Sequence, residues 1–334
     1  MKNLLLLFTC LNYLPVNGIA QTNEVQNGWT EANLKGKVKS FEEADYIAKD
    51  HFGKIEKDGL QFKYVNKYDE QGNQIECDYY YSEGFPSSQE VFKYDEQGNR
   101  TEKRLDDSDG NFRNVYKYDE QGNQIEERAY NDSYWKVSEY VSQYDEQGNQ
   151  IEKRSAEPGI RSNNEMFRYV FKYDEQGNQI ESIRYDSDDI SRIVFKYDEQ
   201  GNRIEETHYS SDGSLFSKSV YKYDEQKNQI EESHDQTGWG VSEYVFKYDE
   251  QGNQIEKRSA EPGMRGNVEI FRYVFKYDEQ GNQIERSRYN SDGKLDFKYS
   301  DKYDYDNQGN WIKRARFEDE ILQTIAEREY EYHD

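Results

Sequence analysis

Tyr68-Asp69-Glu70-Gln71-Gly72-Asn73-Gln74-Ile75-Glu76 is the first of ten near-copies of one nine-residue phrase in a chain of 334 residues. The copies begin at ten tyrosines spaced 24 to 29 residues apart: Tyr68, Tyr94, Tyr118, Tyr144, Tyr173, Tyr197, Tyr223, Tyr248, Tyr277 and Tyr305. A unit of this length cannot bury an apolar face alone, so successive units must stack on one another. The sequence therefore predicts a tandem-repeat protein, in which a single catalytic centre is not expected.

The residues that lead into each phrase alternate in character. Every second residue from Phe271 to Tyr277 is aromatic, whereas Val274 and Lys276 fall between them. Period-two alternation places the two sets on opposite faces of a β-strand. We call these the tyrosine face and the lysine face.

The phrase itself has the signature of a turn. Asp69 and Gly72 occupy the first and fourth positions preferred in a type I turn, and Asn73 tolerates a left-handed backbone. Lys227 stands where the other copies have glycine, which indicates that this position does not require a positive φ.

Two loop lengths are compatible with this turn. A four-residue loop would set Tyr68 against Ile75 and would set Lys67 against Glu76. A three-residue loop would instead set Tyr68 against Gln74. Charge pairing favours the four-residue loop. The last copy supports this choice: Asp304 replaces the Lys and Lys313 replaces the Glu, so the pair keeps opposite charges.

A second, variable connection follows each phrase and contains turn residues such as Asp109-Gly110 or Glu157-Pro158-Gly159. Each repeat thus supplies two antiparallel strands, or roughly twenty in all. Since open sheets rarely stay flat beyond about ten strands, we predict an all-β fold. Its tandem β-hairpin repeats would form a long curled or spiralling antiparallel sheet with the tyrosine face inward. Cys77 falls on that face.

A longer period is also present. Residues 153–159 recur unchanged as residues 257–263, four repeats later. Either a four-repeat block was duplicated recently, or four repeats make one turn of a spiral.

The two ends differ from the repeats. Residues 1–20 are interpreted as a secretory signal peptide cleaved after Ala20, and a lipoprotein signal at Cys10 is the alternative. The other segments are a polar segment at 21–45, in which residues 21–35 are expected to be loose, a degenerate capping hairpin or short helix at 46–64, ten repeats at 65–315 and a capping segment at 316–334.

Composition limits the classes of partner. The formal net charge is −24, which repels phosphate backbones, so nucleic acid is not an expected partner. No apolar run after the signal is long enough for a membrane-spanning helix. The core must be aromatic, because 31 Tyr and 16 Phe accompany few aliphatic residues.

Residue types that carry chemistry are sparse. The four His lack metal-ligand spacing, and no phosphate loop or nucleophile motif is present. No catalytic residue, cofactor or metal is therefore predicted. The candidates for ligand binding are Trp135, Trp239 and Trp311, whose flat rings lie in or beside turns and could either stack on sugars or pack over the sheet edge.

The structural positions of the repeat are represented by Tyr68, Gly72, Ile75, Tyr118, Gly122, Ile125, Tyr173, Gly177, Ile180, Tyr248, Gly252, Ile255, Tyr277, Gly281 and Ile284.

The tandem Tyr-Asp-x-x-Gly-Asn core resembles the YD or RHS-type repeats of bacterial surface and toxin-delivery proteins over roughly residues 46–330. That resemblance implies β-hairpin strips that wind into shells or spirals, with roles in carbohydrate binding, adhesion or enclosure of a toxin domain. We expect a non-enzymatic protein that is secreted, periplasmic or on the cell surface and binds a glycan or protein ligand. A structural spacer or surface-coat component is the alternative, and a remnant of a toxin-delivery shell is a more distant one.

Overall fold

A computed structural model describes residues 27–51, 54–82, 86–108, 110–131, 136–158, 164–186, 189–263 and 267–334. The predicted signal peptide at residues 1–20 and the candidate Trp135 lie outside these ranges.

The described chain contains one short helix and 22 strands. The helix is α1 (Gly28–Glu31). The strands are β1 (Val38–His51), β2 (Lys54–Tyr68), β3 (Gln74–Tyr81), β4 (Pro86–Tyr94), β5 (Arg100–Asp107), β6 (Gly110–Tyr118), β7 (Gln124–Asn131), β8 (Lys136–Tyr144), β9 (Gln150–Pro158), β10 (Asn164–Tyr173), β11 (Gln179–Tyr185), β12 (Ile190–Tyr197), β13 (Arg203–Tyr209), β14 (Leu215–Tyr223), β15 (Gln229–Gln236), β16 (Gly240–Tyr248), β17 (Gln254–Pro262), β18 (Val268–Tyr277), β19 (Gln283–Tyr289), β20 (Leu295–Tyr305), β21 (Trp311–Glu318) and β22 (Ile321–Tyr332).

The strands form one antiparallel sheet that closes on itself. Each strand pairs with its neighbours in sequence, and β1 also pairs with β22, from Val38 opposite Tyr332 to Ile47 opposite Thr324. The prediction of an all-β antiparallel fold is confirmed, but the open curled or spiralling sheet is wrong: the fold is a closed 22-stranded barrel. Closure pairs two edges that would otherwise expose unsatisfied backbone N–H and C=O groups.

The chain ends supply this closure. Strand β1 begins at Val38, inside the predicted polar segment 21–45, and it forms a hairpin with β2 rather than the alternative short helix. The predicted C-terminal cap contains β22, which pairs with β1. The two segments outside the repeats are therefore the two sides of the seam.

An aspartate holds each phrase turn. The backbone carbonyl of Asp69 accepts from Gly72 N–H, while its Oδ1 accepts from the N–H groups of Gln71 and Asn73 at 3.0 and 2.9 Å. Gly72 has φ 86°. Lys227, at the equivalent position, has φ 67°, so the prediction that this position does not require a positive φ is wrong.

The register combines parts of both loop alternatives. Lys67 lies opposite Glu76, as the four-residue loop predicts, but Tyr68 lies opposite Gln74. Ile75 is the extra residue of a β-bulge, so its predicted pairing with Tyr68 is wrong. The same irregularity precedes the tyrosine in the hairpin of every phrase.

The register also shifts steadily around the sheet. Lys67, one residue before its phrase tyrosine, lies opposite Glu76, and Glu76 in turn lies opposite Val91. Val91 is three residues before its phrase tyrosine, Tyr94, whereas Lys67 is one residue before Tyr68. A path perpendicular to the strands therefore shifts by two residues relative to the phrase in each repeat. This stagger is the shear that lets tilted strands close into a barrel.

A ladder of tyrosine hydroxyls joins successive repeats. Tyr94 donates to the carbonyl of Gln74, the first residue of β3, at 2.8 Å. The equivalent bonds are Tyr118 to Arg100, Tyr144 to Gln124, Tyr173 to Gln150, Tyr197 to Gln179, Tyr223 to Arg203, Tyr248 to Gln229, Tyr277 to Gln254, Tyr303 to Gln283 and Tyr330 to Trp311. Each repeat is therefore tied to the one before it by a side chain as well as by the backbone.

Deep burial is concentrated at the N-terminal side of the seam. Leu34, Val38, Phe41 and Tyr68 form a buried cluster against which Trp29 packs. Cys77, opposite Asn66 on the tyrosine face, is also buried, at 1% exposure. Most other aromatic side chains on this face are only half-buried.

Removal of one ladder hydroxyl should cost a single hydrogen bond. We expect Tyr197→Phe to lower the free energy of unfolding by about 1 kcal/mol, because it removes the bond to Gln179 and keeps the ring. Tyr209→Phe, on the lysine face, is the matched control and should have a smaller effect. Urea denaturation of both variants measures the difference, and equal effects would contradict the role of the ladder.

The register predicts compensation between paired charges. Lys222 and Glu231 lie opposite each other and form an exposed ion pair. Lys222→Glu alone should destabilise by about 0.2 to 1 kcal/mol, and adding Glu231→Lys should recover most of the loss. A double-mutant cycle in urea tests this. Strictly additive losses would show that the two side chains do not interact.

Candidate functional site

The predicted tryptophan candidates do not come together. Trp239 lies in the turn between β15 and β16 and is 75% exposed. Trp311 lies at the opposite end of the strands, half-buried, with the guanidinium carbon of Arg328 3.9 Å from its ring centroid. Arg314 approaches the same ring at 5.5 Å. Of these two residues, only Trp239 offers an open aromatic face.

The predicted structural positions occupy the tyrosine face, the turns and the bulges. Tyr68 is 4% exposed, whereas Ile180, at a bulge, is 36% exposed. The phrase glycines Gly72, Gly122, Gly177, Gly252 and Gly281 have φ between 83° and 86°. The other predicted tyrosines, Tyr118, Tyr173, Tyr248 and Tyr277, belong to the hydroxyl ladder. The predicted isoleucines Ile75, Ile125, Ile255 and Ile284 each follow the first residue of a strand, at the bulge position.

The two rims of the barrel differ in chemistry. One rim carries the phrase turns, and we call it the acidic rim. Nine of its turns contain an Asp and a Glu and the tenth contains Asp306, so nineteen carboxylates lie there. Hydrogen bonds from Asn99 and neighbouring N–H groups lower the pKa of Asp95, and the same arrangement lowers that of Asp119. Asp95 and Asp119 therefore stay ionised to a lower pH than an ordinary aspartate.

The opposite rim carries the variable connections, and we call it the variable rim. Large apolar side chains are exposed along it, with Trp239 at 75%, Tyr81 at 69%, Ile321 at 68% and Val268 at 62%. Further members are Phe112, Ile190, Leu215, Phe216, Val241, Ile270 and Leu295. Because these side chains lie on or beside loops of a regular scaffold, the variable rim is the candidate binding region.

The lysine face carries three-residue charge clusters that link adjacent repeats. Glu102 is 10% exposed at its side chain and binds Lys93 at 3.0 Å across its hairpin and Arg113 at 2.6 Å across the next junction. The same arrangement occurs at Lys172–Glu181–Arg192, Lys196–Glu205–Lys218, Lys247–Glu256–Arg272 and Lys276–Glu285–Lys298. The cations are exposed above carboxylates that are largely covered, so this face presents positive groups to solvent.

The seam contains a cluster of buried charges that the repeat pattern does not predict. Arg328 Nε donates to Glu43 Oε2 at 2.7 Å, and Tyr64 also donates to Glu43. Burial opposes the charge of Arg328, but Glu43 and the neighbouring tyrosines outweigh this effect and raise its pKa. Burial, together with Glu43, raises the pKa of the Tyr64 hydroxyl well above its ordinary value.

Two further ion pairs extend this seam cluster. Arg314 lies 3.3 Å from Asp45 Oδ2, and Arg316 makes two 2.9 Å hydrogen bonds to Asp301. Burial raises the pKa of Asp45 although Arg314 opposes the shift. Because each carboxylate has its own arginine, the cluster is arranged as a balanced set of ion pairs rather than as a general acid and base.

Sequence periodicity missed the seam cluster because its residues stand outside the phrase. One signal was available: acidic residues occur at Glu43 and Asp45, and arginines occur at Arg314 and Arg316, each two apart on one strand face. Their pairing could not be read from the sequence, since it joins residues about 270 positions apart.

An N-terminal strap crosses the same seam. Asn27 Nδ2 donates to the carbonyl of Gln71 in the first phrase turn. Lys35 N–H donates to Asn310 Oδ1, and Asn310 Nδ2 donates back to the carbonyl of Lys35, both at 2.7 Å. The strap, which we define as residues 27–37, thus joins the first and last phrase turns.

Comparison with known proteins gives limited likenesses. No protein-family model matches the chain, and no curated protein matches it. The crystal structure of TcdB2-TccC3-Cdc42 matches with TM-score 0.40 and 11% identity over 79% of this chain and 17% of that chain. The Photorhabdus luminescens Tc holotoxin pore gives 0.38 and 11%, covering 77% and 17%.

A porin-like protein from Bacteroides uniformis gives TM-score 0.31 and 9% identity, covering 89% of this chain and 99% of that chain. The present chain spans about a sixth of the Tc toxin chains that it matches. These are likenesses to β-rich, repeat-like folds, and no argument about function follows from them.

Among the described residues, no group of three or more His, Cys, Asp or Glu side chains is arranged to hold a metal ion. No helix in the described part of the chain is long and apolar enough to cross a membrane.

The charge clusters predict acid sensitivity. Burial alone would raise the pKa of Glu102, but hydrogen bonds from Arg113 and Lys93 hold it below its ordinary value. The pKa is also lowered at Glu152, Glu181, Glu205, Glu256 and Glu285. For each of these glutamates the folded pKa lies below the unfolded value of 4.5. Its contribution to the free energy of unfolding is therefore complete above pH 4.5 and is lost as the pH falls through the folded pKa.

We therefore expect the urea midpoint to be nearly constant from pH 7 to about 5.5 and to fall below about pH 4.5. Asp45, with a raised pKa, acts in the opposite direction but is one group against these six glutamates and the turn aspartates, such as Asp95 and Asp119, whose pKa is also lowered. Glu102→Gln should be less stable at pH 7 and should show a shallower decline in acid. A midpoint that rises between pH 4.5 and 3 would contradict this assignment.

Proposed function

We propose that this chain is a non-enzymatic secreted or cell-surface protein that acts as a binding or adhesion module for a glycan or protein ligand. The observation that carries the proposal is the variable rim. Its connections differ from repeat to repeat, whereas the phrase turns are nearly invariant. Variable loops on a regular scaffold are where binding residues are usually placed.

The side chains of the variable rim suit such a ligand. Trp239 presents most of its ring to solvent, and Tyr81 and Val268 are also largely exposed. Exposed aromatic rings stack on sugar faces and are common in protein interfaces, because they bury a large area with few rotatable bonds. The repetition of the hairpins around the barrel allows several weak contacts to act together.

A structural spacer or surface-coat role is the second candidate. The uniform turns, the tyrosine ladder and the charge clusters favour it, since these features stabilise the barrel without forming a specialised pocket. The apolar variable rim favours the binding role, because a passive spacer gains no stability from exposing Trp239 and Ile321.

A panel of purified glycans and matrix proteins tests the proposal. We expect at least one to bind the full chain, and Trp239→Ala with Tyr81→Ser to weaken that binding by tenfold or more. Val220→Thr is the matched control, because Val220 is 38% exposed in the middle of the lysine face. Binding that the rim variants leave unchanged would move the site elsewhere, and no binding across the panel would favour the spacer.

A further inference from the structure

The β1–β22 pairing differs from every other strand pairing in the described sheet. All other pairings join strands that are adjacent in sequence, whereas β1 and β22 lie at opposite ends of the chain. If only this seam opens, the hairpins, the bulges and the other junctions can remain paired. The open sheet would then have one free edge from β1 and another from β22.

The two seam edges are specific for each other. Nine residue pairs join them, and Glu43 meets Arg328 while Asp45 meets Arg314 of the neighbouring β21. These charges are buried, so a shift in register would leave carboxylates and guanidinium groups without partners, which is costly. The seam therefore accepts one register and strongly disfavours others.

Each seam contact joins the first part of the chain to the last part. This also holds for two contacts of the strap: Lys35 binds Asn310, and His333 N–H donates to the carbonyl of Lys37 at 2.8 Å. None of these contacts requires that the two partners belong to the same molecule. We propose that the seam is an interaction surface for a second copy of this chain: β22 of each copy pairs with β1 of the other, and the two chains close into one ring.

The curvature of the sheet permits this exchange. Closing 22 strands turns the sheet by about 16° per strand, and a two-chain ring of 44 strands would need about 8°. Barrel diameter grows roughly linearly with strand number, so the larger ring differs by about 8° of bending per strand and keeps the same strand pairing. The exchanged ring keeps all seam hydrogen bonds and ion pairs, and such exchange of identical elements is a low-cost route to a dimer.

Charge reversal at the seam gives a direct test. Glu43→Arg places two arginines at the seam of one chain, and Arg328→Glu places two carboxylates there. In an exchanged dimer of these two variants, the introduced arginine of one chain meets the introduced glutamate of the other, and the unchanged Glu43 and Arg328 meet at the second seam. We expect the two variants, unfolded and refolded together at equal concentration, to form a one-to-one dimer detected by native mass spectrometry. Each refolded alone should give less than a tenth of that dimer.

Two controls separate exchange from simple loss of stability. The double variant Glu43→Arg/Arg328→Glu restores the pair within one chain and should refold mainly as a monomer. Lys222→Glu mixed with Glu231→Lys, at an exposed pair inside a hairpin, should give no mixed dimer. If the double variant refolds while the mixture of single variants gives no mixed dimer, exchange is overturned. Failure of both single variants to fold alone, followed by dimer formation on mixing, would support it.

Discussion

The aspartate of the phrase turn is the constraint on which the rest of the barrel depends. Its carboxylate fixes two backbone N–H groups, as Asp69 does for Gln71 and Asn73, and this closes the turn with Gly72 in the left-handed region. The closed turn places Tyr68 opposite Gln74, so the strands can also pair Lys67 with Glu76 only if Ile75 is left out of the ladder as a bulge. A bulge increases the local twist and bends the strand. Together with the two-residue shift of register per repeat, this geometry sets the tilt that a closed sheet needs.

Stability in this molecule is distributed along the chain rather than held in one core. The tyrosine ladder and the charge clusters such as Lys93–Glu102–Arg113 each join one repeat to the next. Interactions of this kind add up in proportion to the number of repeats, as in other repeat proteins. The seam is the exception, since its contacts span the whole sequence and form only after the ends have met. Contacts of such high sequence separation are the slowest to form. The buried cluster at Phe41 and the seam ion pairs stabilise the closure of the barrel, which pairing between adjacent strands does not stabilise.

The sequence predicted the strands, the antiparallel hairpins and the Lys67–Glu76 pairing because all three follow from local pattern. The bulge was not predictable from pairing rules, since each loop length satisfies one of the two observed pairs and violates the other. Closure was missed for a different reason: Val38–His51 lacks the phrase, and its partner β22 lies almost 290 residues away. Trp239 and Trp311 were both predicted as ligand-binding candidates, yet Trp239 is open to solvent and Trp311 stacks beneath Arg328. The contact with Arg328 could not be read from the sequence, because Arg328 lies outside the phrase.

The distribution of charge follows from the same repeat. Most of the net charge of −24 lies in the phrase turns, where the aspartates hydrogen-bond their own loops and the glutamates are exposed to water. On the strands, carboxylates such as Glu102 are covered by cations. The connections of the variable rim lie at the opposite end of the strands from the phrase turns and do not carry the phrase. Apolar residues there, such as Trp239, are open to solvent. This separation from the phrase turns supports our proposal that ligand recognition takes place at the variable rim rather than on the faces or the acidic rim.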